Sequence, residues 1–244
     1  MKKQNTQIIG RIRQLGLAAL LTTGLASQAQ SILTNQHADI GVNYEAGEWN
    51  LHIHNETEDI EYSPPSGPGG AIIQVGSAAA GTVSANPLFS FLGTAGSPVW
   101  ILPNTQNPSL VFLGFGAEEL VTGLFVGDSI TMALHSISGP GEFAVFDYDF
   151  FGNPTVWMNT RDGITAGDSV SLLAGGHNDM NWAFSAPGNY TVYFEASGTL
   201  VDGNVFTASG PVGYEFQVVP EPSAMALAGM GALALLLVRK MRRD

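Results

Sequence analysis

The sequence predicts an all-β sandwich, and three observations carry that expectation. From residue 30 to 219, short runs of Val, Ile, Phe, Tyr and Trp are separated by clusters of Gly, Pro, Asn and Asp. Several runs alternate strictly. Tyr190, Val192, Phe194 and Ala196 alternate with Thr191, Tyr193 and Glu195; Val212, Tyr214, Phe216 and Val218 with Gly213, Glu215 and Gln217; Ile130, Met132 and Leu134 with Thr131, Ala133 and His135. A period of two with one apolar face describes sheets that cover a shared core on one side. No stretch between the two chain ends keeps a helical period over eleven residues. Turn chemistry at Ser63–Gly70, Ser138–Gly141, Asp162-Gly163, Ala186–Asn189 and Asp202-Gly203 divides ten or eleven candidate strands. That spacing fits an immunoglobulin-like or jelly-roll-type β-sandwich over residues 30–219, one domain without an internal repeat.

The two ends read differently. Met1-Lys2-Lys3, Arg11 and Arg13 precede an uncharged stretch from Leu15 to Leu25, and Ala26-Ser27-Gln28-Ala29 follows. A charged region, a short apolar run and small residues before a cut after Ala29 describe a signal peptide over residues 1–29, removed by signal peptidase. At the other end Pro220-Glu221-Pro222-Ser223 leads into Ala224–Val238, which carries no charge, and then into Arg239-Lys240-Met241-Arg242-Arg243. As a helix that run covers roughly 22 Å, short of the ~30 Å hydrocarbon core. The stems of Arg239 and Lys240 can snorkel to make up part of the gap. The basic cluster orients residues 220–244 as a transmembrane sorting helix with its tail in the cytoplasm.

Pro-Glu-Pro, a Gly/Ala/Leu-rich span and a terminal Arg-rich cluster, in this order, resemble the PEP-CTERM sorting signal of Gram-negative, exopolysaccharide-producing bacteria. The resemblance implies an inner-membrane intermediate, recognition by an exosortase at Pro220, Glu221 and Pro222, and delivery to the cell surface or extracellular matrix. Proteins of many unrelated activities carry this tail. It therefore predicts the address and leaves the task to the β domain.

Charge narrows the partners of that domain. Of nine Lys and Arg, four precede residue 30 and four follow residue 219, leaving Arg161 alone; of 21 Asp and Glu, only Glu221 and Asp244 fall outside. The domain thus carries a formal charge of −18. Such a surface repels nucleic acid and attracts cations. Cysteine is absent, which excludes disulfides, thiolate ligands and cysteine nucleophiles.

All five histidines lie in the domain, and their spacing is informative. His37 and Asp39, His52 and His54, and His177 and Asp179 are each two residues apart. On a strand such pairs share a face, with Cα atoms roughly 6.5–7 Å apart. Two imidazoles so placed can converge on one ion, at zinc–nitrogen distances of about 2.0–2.1 Å. In Glu48–Asn55, Trp49, Leu51 and Ile53 form the apolar face, so His52 and His54 lie opposite the core, either as solvated residues or as ligands. A sulfur-free His/Asp set suits zinc, or manganese or copper with less selectivity. A structural zinc takes four ligands and a catalytic one three plus water. His135 has no such neighbour and reads as a strand-surface residue.

Longer phrases carry a second resemblance. His37-Ala38-Asp39-Ile40-Gly41-Val42, Trp49-Asn50-Leu51-His52-Ile53-His54, Val99-Trp100-Ile101-Leu102-Pro103, Leu113-Gly114, Gly139-Pro140-Gly141-Glu142-Phe143 and His177-Asn178-Asp179-Met180-Asn181-Trp182-Ala183-Phe184 resemble the choice-of-anchor M family of surface-anchored proteins. It covers nearly the whole domain. The resemblance implies a role beside metal-uptake systems in zinc acquisition, with histidines as ligands. It departs at Asp179, where the family pattern has a second histidine; aspartate also binds zinc.

No enzyme is expected. Gly-x-Ser-x-Gly and His-Glu-x-x-His are absent, and no Gly-rich phosphate loop follows a strand. A metal-assisted hydrolase would need a zinc with an open position. Asp147 and Asp149 read as solvated or calcium-binding loop acids. The expected function is non-enzymatic zinc binding at the surface, linked to zinc acquisition or homeostasis. The alternative is a structural or carbohydrate-binding matrix module associated with exopolysaccharide. Trp100, Trp157 and Trp182 could then stack on sugars, although the apolar run around each predicts a core position.

Overall fold

A computed structural model of the chain describes residues 30–220. The signal peptide expected at 1–29 and the sorting helix expected after Pro220 lie outside the described residues.

The fold is an all-β sandwich, built from three sheets. The largest has seven strands. Its spine is β15 (Gly188–Thr199), flanked by β9 (Ser129–Ser138) and β17 (Val212–Val218), both antiparallel to it. Outward from β9 lies β12 (Ser169–Leu173). Outward from β17 lie β5 (Ala71–Val75) and β1 (Ser31–Leu33), each joined in parallel. A short strand β16 (Phe206–Ala208) pairs with the end of β15. The alternation predicted for these strands is realised. Tyr190, Val192, Phe194, Ala196, Ile130, Met132, Leu134, Tyr214, Phe216 and Val218 are buried, while His135 is exposed.

Two five-stranded sheets supply the opposing residues of the core. One runs β11 (Pro154–Asn159), β10 (Phe143–Tyr148), β14 (Asn181–Phe184), β7 (Pro98–Leu102), β6 (Ala80–Thr82). The other runs β13 (His177–Asp179), β8 (Phe112–Gly116), β2 (His37–Glu45), β3 (Glu48–Asn55), β4 (Ile60–Tyr62). Met180 alone separates β13 from β14, so one stretch of chain stitches the two sheets together. The seventeen strands exceed the ten or eleven expected because several are three-residue edge segments, too short to leave a periodic signature.

All three sheets meet in one core. Trp182 stands at its centre, within 6.0 Å of the rings of Phe115, Phe143, Phe194 and Phe216. Its indole N–H donates to the Leu113 carbonyl at 2.9 Å, which satisfies the single polar atom of a fully buried side chain. Trp100 is also buried, and its indole N–H donates to the Val219 carbonyl at 3.0 Å. Trp157 departs from expectation. It lies on edge strand β11, where the run Val156-Trp157 faces outward, and is substantially exposed.

The outer faces of the two five-stranded sheets are covered in different ways. On the β10/β14/β7 sheet, Val99, Ala144, Phe146 and Ala183 form a satellite apolar cluster under a 3-10 segment, Pro87–Leu92. Arg161 holds that segment by donating from Nε to the Phe91 carbonyl and from Nη2 to the Leu92 carbonyl. Among the described residues, the outer face of the β8/β2/β3 sheet has no such apolar cover. There the polar residues gather.

Candidate metal centre

Strand alternation decides which side chains reach this face. On β2, Ala38, Ile40 and Val42 point into the core, which sends His37, Asp39 and Gly41 outward. On β3, Leu51 and Ile53 are buried in the core, so His52 and His54 share the outer side. On β8, Leu113 and Phe115 face inward and Gly114 and Gly116 outward. Register aligns these positions into rows. Asp179, Gly114, Asp39, His54 and Glu61 run across the sheet in one row, and His177, Gly116, Gly41 and His52 in the next.

The glycines leave room for the rings and carboxylates. A Cβ on Gly41 would overlap the His52 imidazole, and one on Gly114 would overlap Asp39 Oδ1. One on Gly116 would lie 3.1 Å from the Asp39 Cβ. His52 therefore lies flat over Gly41, and Asp39 leans across β8 toward β13. Two turns bring further acids. The Ala117–Leu120 turn is fixed by backbone bonds between Ala117 and Gly175 and Gly176, and it carries Glu118 and Glu119 over the face. The turn after β3 is built on buried Asn55, whose Oδ1 accepts from the Thr57 and Glu58 amides, and it presents Glu56. Thr57 Oγ1 in turn accepts from the His37 amide at 2.9 Å.

All six residues picked out by the paired spacing lie on this one face, but the four imidazoles do not converge at a single point. They divide among three triplets whose potential ligand atoms lie within 4.8 Å of one another: His37, His177 and Asp179; His52, Glu61 and Glu119; His54, Glu56 and Glu118. His37 Nε2 is 3.4 Å from Asp179 Oδ1, His52 Nε2 is 3.2 Å from Glu119 Oε1, and His54 Nδ1 is 2.9 Å from Glu56 Oε1. His177 Nδ1 lies 3.0 Å from Glu118 Oε1, which ties the first triplet to the third. Between Asp39, His52, His54, Glu118 and Glu119, over the glycine floor, is a cavity of about 70 Å³. A single water needs about 10–15 Å³.

Asp39 is the residue that most needs an explanation. Its side chain is 1% exposed, yet neither carboxylate oxygen has a hydrogen-bond donor among the described residues. Burial pushes its pKa from 3.8 up to about 6; His37 and His177 oppose the rise, while Asp179 and Glu56 add to it. Among the described residues His37 Nε2, His52 Nδ1, Glu56 Oε1 and Asp179 Oδ1 are likewise buried without a well-aligned hydrogen bond; His37 with Asp179 and His54 with Glu56 meet only as charge contacts. Buried polar atoms are normally paired, and a cluster of poorly paired carboxylate and imidazole atoms on one face fits cation binding. For His177, burial works against the charged form, but the acceptor on Glu118 and the charges of Asp39, Asp179 and Glu118 outweigh it and raise its pKa. Arg161, the one Lys or Arg of residues 30–219, is engaged on the far sheet, so among the described residues the six acids here have only their histidines as positive partners.

Histidine spacing does not point to Glu56, Glu61, Glu118 or Glu119. A signal for the last two does exist in the sequence: Leu113-Gly114-Phe115-Gly116 alternates large and absent side chains, a strand with one bare face, and the acids follow at once. Asp147 lies on strand β10 and not in a loop as expected, because it pairs with Thr155 of β11, while Asp149 holds the turn between the two strands. Asp147 Oδ1 accepts from Asn104 Nδ2 at 2.6 Å, and Asp149 Oδ1 from the Phe151 and Asn153 amides at 2.8 Å each.

Comparison with known proteins bears on the chain's tail. The PEP-CTERM protein-sorting motif matches residues 218–243. No curated protein and no solved structure matches the chain. The match defines an exported, surface-sorted protein that passes through a membrane-anchored stage and is processed by an exosortase. Among the described residues the last strand, β17, ends at Val218, where the match begins.

Proposed function

We propose that this surface-sorted protein binds zinc, without catalysis, on the outer face of its β8/β2/β3 sheet, and that it serves zinc acquisition or homeostasis outside the cell. The observation that carries the reading is Asp39: a buried carboxylate with both oxygens unpaired, beside His37, His177 and Asp179. Imidazole and carboxylate donors without sulfur suit zinc, with manganese and copper as competitors. The resemblance of the domain's His-x-Asp and His-x-His phrases to the choice-of-anchor M family supports the same reading. So does a domain charge of −18, whose self-repulsion a bound cation relieves.

Zinc calorimetry on the full chain in detergent, after chelator treatment, tests it. The expected result is saturable binding at micromolar or tighter affinity with a rise in melting temperature. Absence of heat and a melting point indifferent to chelator would end the reading.

A carbohydrate-binding role has one observation in its favour. Trp157 is exposed, and the β10–β11 hairpin presents Phe150, 97% exposed, beside Phe151. Retention on an exopolysaccharide column, lost in a Phe150→Ala/Trp157→Ala variant, would support it.

A further inference from the structure

We infer that the face binds two cations, with Asp39 bridging them. This rests on the metal-binding reading above and adds stoichiometry and architecture to it. Two donor sets lie on either side of Asp39. One is the triplet of His37, His177 and Asp179. The other draws on both remaining triplets: His52 with Glu119 and His54 with Glu118 line the central cavity over Gly41 and Gly116. No residue belongs to both, and each alone offers the three or four donors that one zinc takes.

Asp39 borders both sets, interacting electrostatically with His37, His177 and Asp179 of the first and lining the cavity of the second. Its Oδ1 sits over Gly114, where a Cβ would also be 3.2 Å from Asp179 Oδ1, so this oxygen faces the first set. Its Oδ2 lies over Gly116, on the wall of the cavity, and faces the second. Both oxygens are buried and free of donors, which one ion bound to one oxygen would leave half resolved. Charge points the same way. The face holds six carboxylates counting Asp39, so when all are ionised one divalent ion leaves a charge of −4 and two leave −2.

The test is metal counting on the full chain in detergent. After chelator dialysis, zinc alone is titrated by calorimetry, and the loaded protein is passed through gel filtration for elemental analysis. Two zinc ions per chain are expected. His37→Ala/His177→Ala and His52→Ala/His54→Ala should each retain one. Asp39→Asn should weaken both steps by at least the roughly 10–100-fold that losing even an outer-shell partner costs. Cobalt loading gives an independent readout: magnetic coupling between two ions in the unmodified chain, absent in Asp39→Asn. One zinc per chain, abolished by either double substitution, would overturn the two-ion inference and leave the metal reading intact. No bound zinc would overturn both. Two ions whose affinities and coupling ignore Asp39→Asn would overturn the bridge.

Discussion

Replacing Asp39 with asparagine should stabilise the metal-free protein while removing most of its response to zinc. Burial raises the Asp39 pKa from 3.8 to about 6. For an acid shifted upward, the folded state holds the proton more tightly than the unfolded one. Stability is then greatest below pH 3.8 as far as this group is concerned, and it falls as pH rises toward 6. Above that window the ionised carboxylate costs the fold about two pK units, or roughly 3 kcal/mol at 1.36 kcal/mol per unit. Asparagine resembles the neutral acid in shape and cannot ionise. At pH 7.5 in chelator, Asp39→Asn should therefore gain up to about 3 kcal/mol, near 6–12 °C in melting temperature for a domain of this size.

Zinc reverses the order. A ligand at a hundred times its dissociation constant adds about 2.7 kcal/mol to a protein that binds it. The unmodified chain should collect that gain and the variant little of it. Thermal melts monitored by near-ultraviolet circular dichroism, at pH 5 and 7.5, with chelator and with zinc, read all four quantities. The variant should also lose the part of the pH slope between 4 and 6 that belongs to Asp39. A variant that melts below the unmodified chain in chelator, or gains as much from zinc, would refute the reasoning.

Other substitutions probe the same face and its support. His52→Ala/His54→Ala should sharply reduce the zinc-induced rise in melting temperature, while His135→Ala, on an exposed strand surface, should change stability by less than about 0.5 kcal/mol. Gly114→Ala forces a Cβ into Asp39 Oδ1 and to 2.9 Å from the Asn178 carbonyl; a loss of about 1–3 kcal/mol and weaker zinc binding are expected. Gly81→Ala, with open space around it, is the matched control. Trp182→Ala should cost about 3–5 kcal/mol in a denaturant melt, since its ring sits among Phe115, Phe143, Phe194 and Phe216. Replacing Pro220, Glu221 and Pro222 together with alanine should leave the full-length chain in the membrane fraction, read by immunoblot after fractionation.

The sandwich is legible in the sequence because period two is a property of a single strand. Tyr190 to Ala196 and Tyr214 to Val218 announce their buried faces without reference to any neighbour. The same logic placed His37 with Asp39 and His52 with His54 on one side of their strands. Which strands stand together is a different matter. The parallel pairing of β2 with β8, and the extension of β8 by β13, join segments more than sixty residues apart through backbone bonds that no side-chain pattern specifies. Without that pairing, Asp39 and His177 are only two polar residues in a long acidic chain. Trp157 fails for a related reason: an apolar run on an edge strand resembles a core run until the neighbouring strand is known to be missing.

The contrast between the two five-stranded sheets suggests how binding and folding are linked. Both need their outer faces covered. The β10/β14/β7 sheet is closed by aliphatic and aromatic residues, under a segment held by Arg161. The β8/β2/β3 sheet is closed by imidazoles and carboxylates that bury one another yet leave Asp39, His37, His52 and Asp179 with unpaired atoms. Such a cover is unfavourable alone and favourable around cations. On the proposed metal-binding reading, the affinity of this face is a deficit in the stability of the metal-free fold. The pKa of Asp39 gives the scale, about 3 kcal/mol from one carboxylate, and zinc at a hundredfold excess over its dissociation constant returns about the same amount. Loading should therefore stiffen the face that holds the ion, and hydrogen exchange should slow at β2, β3, β8 and β13 on zinc addition while β10 and β14 stay unchanged. Uniform slowing across all three sheets would mean that the cation acts through general charge relief, and the two outer faces would then differ only in composition.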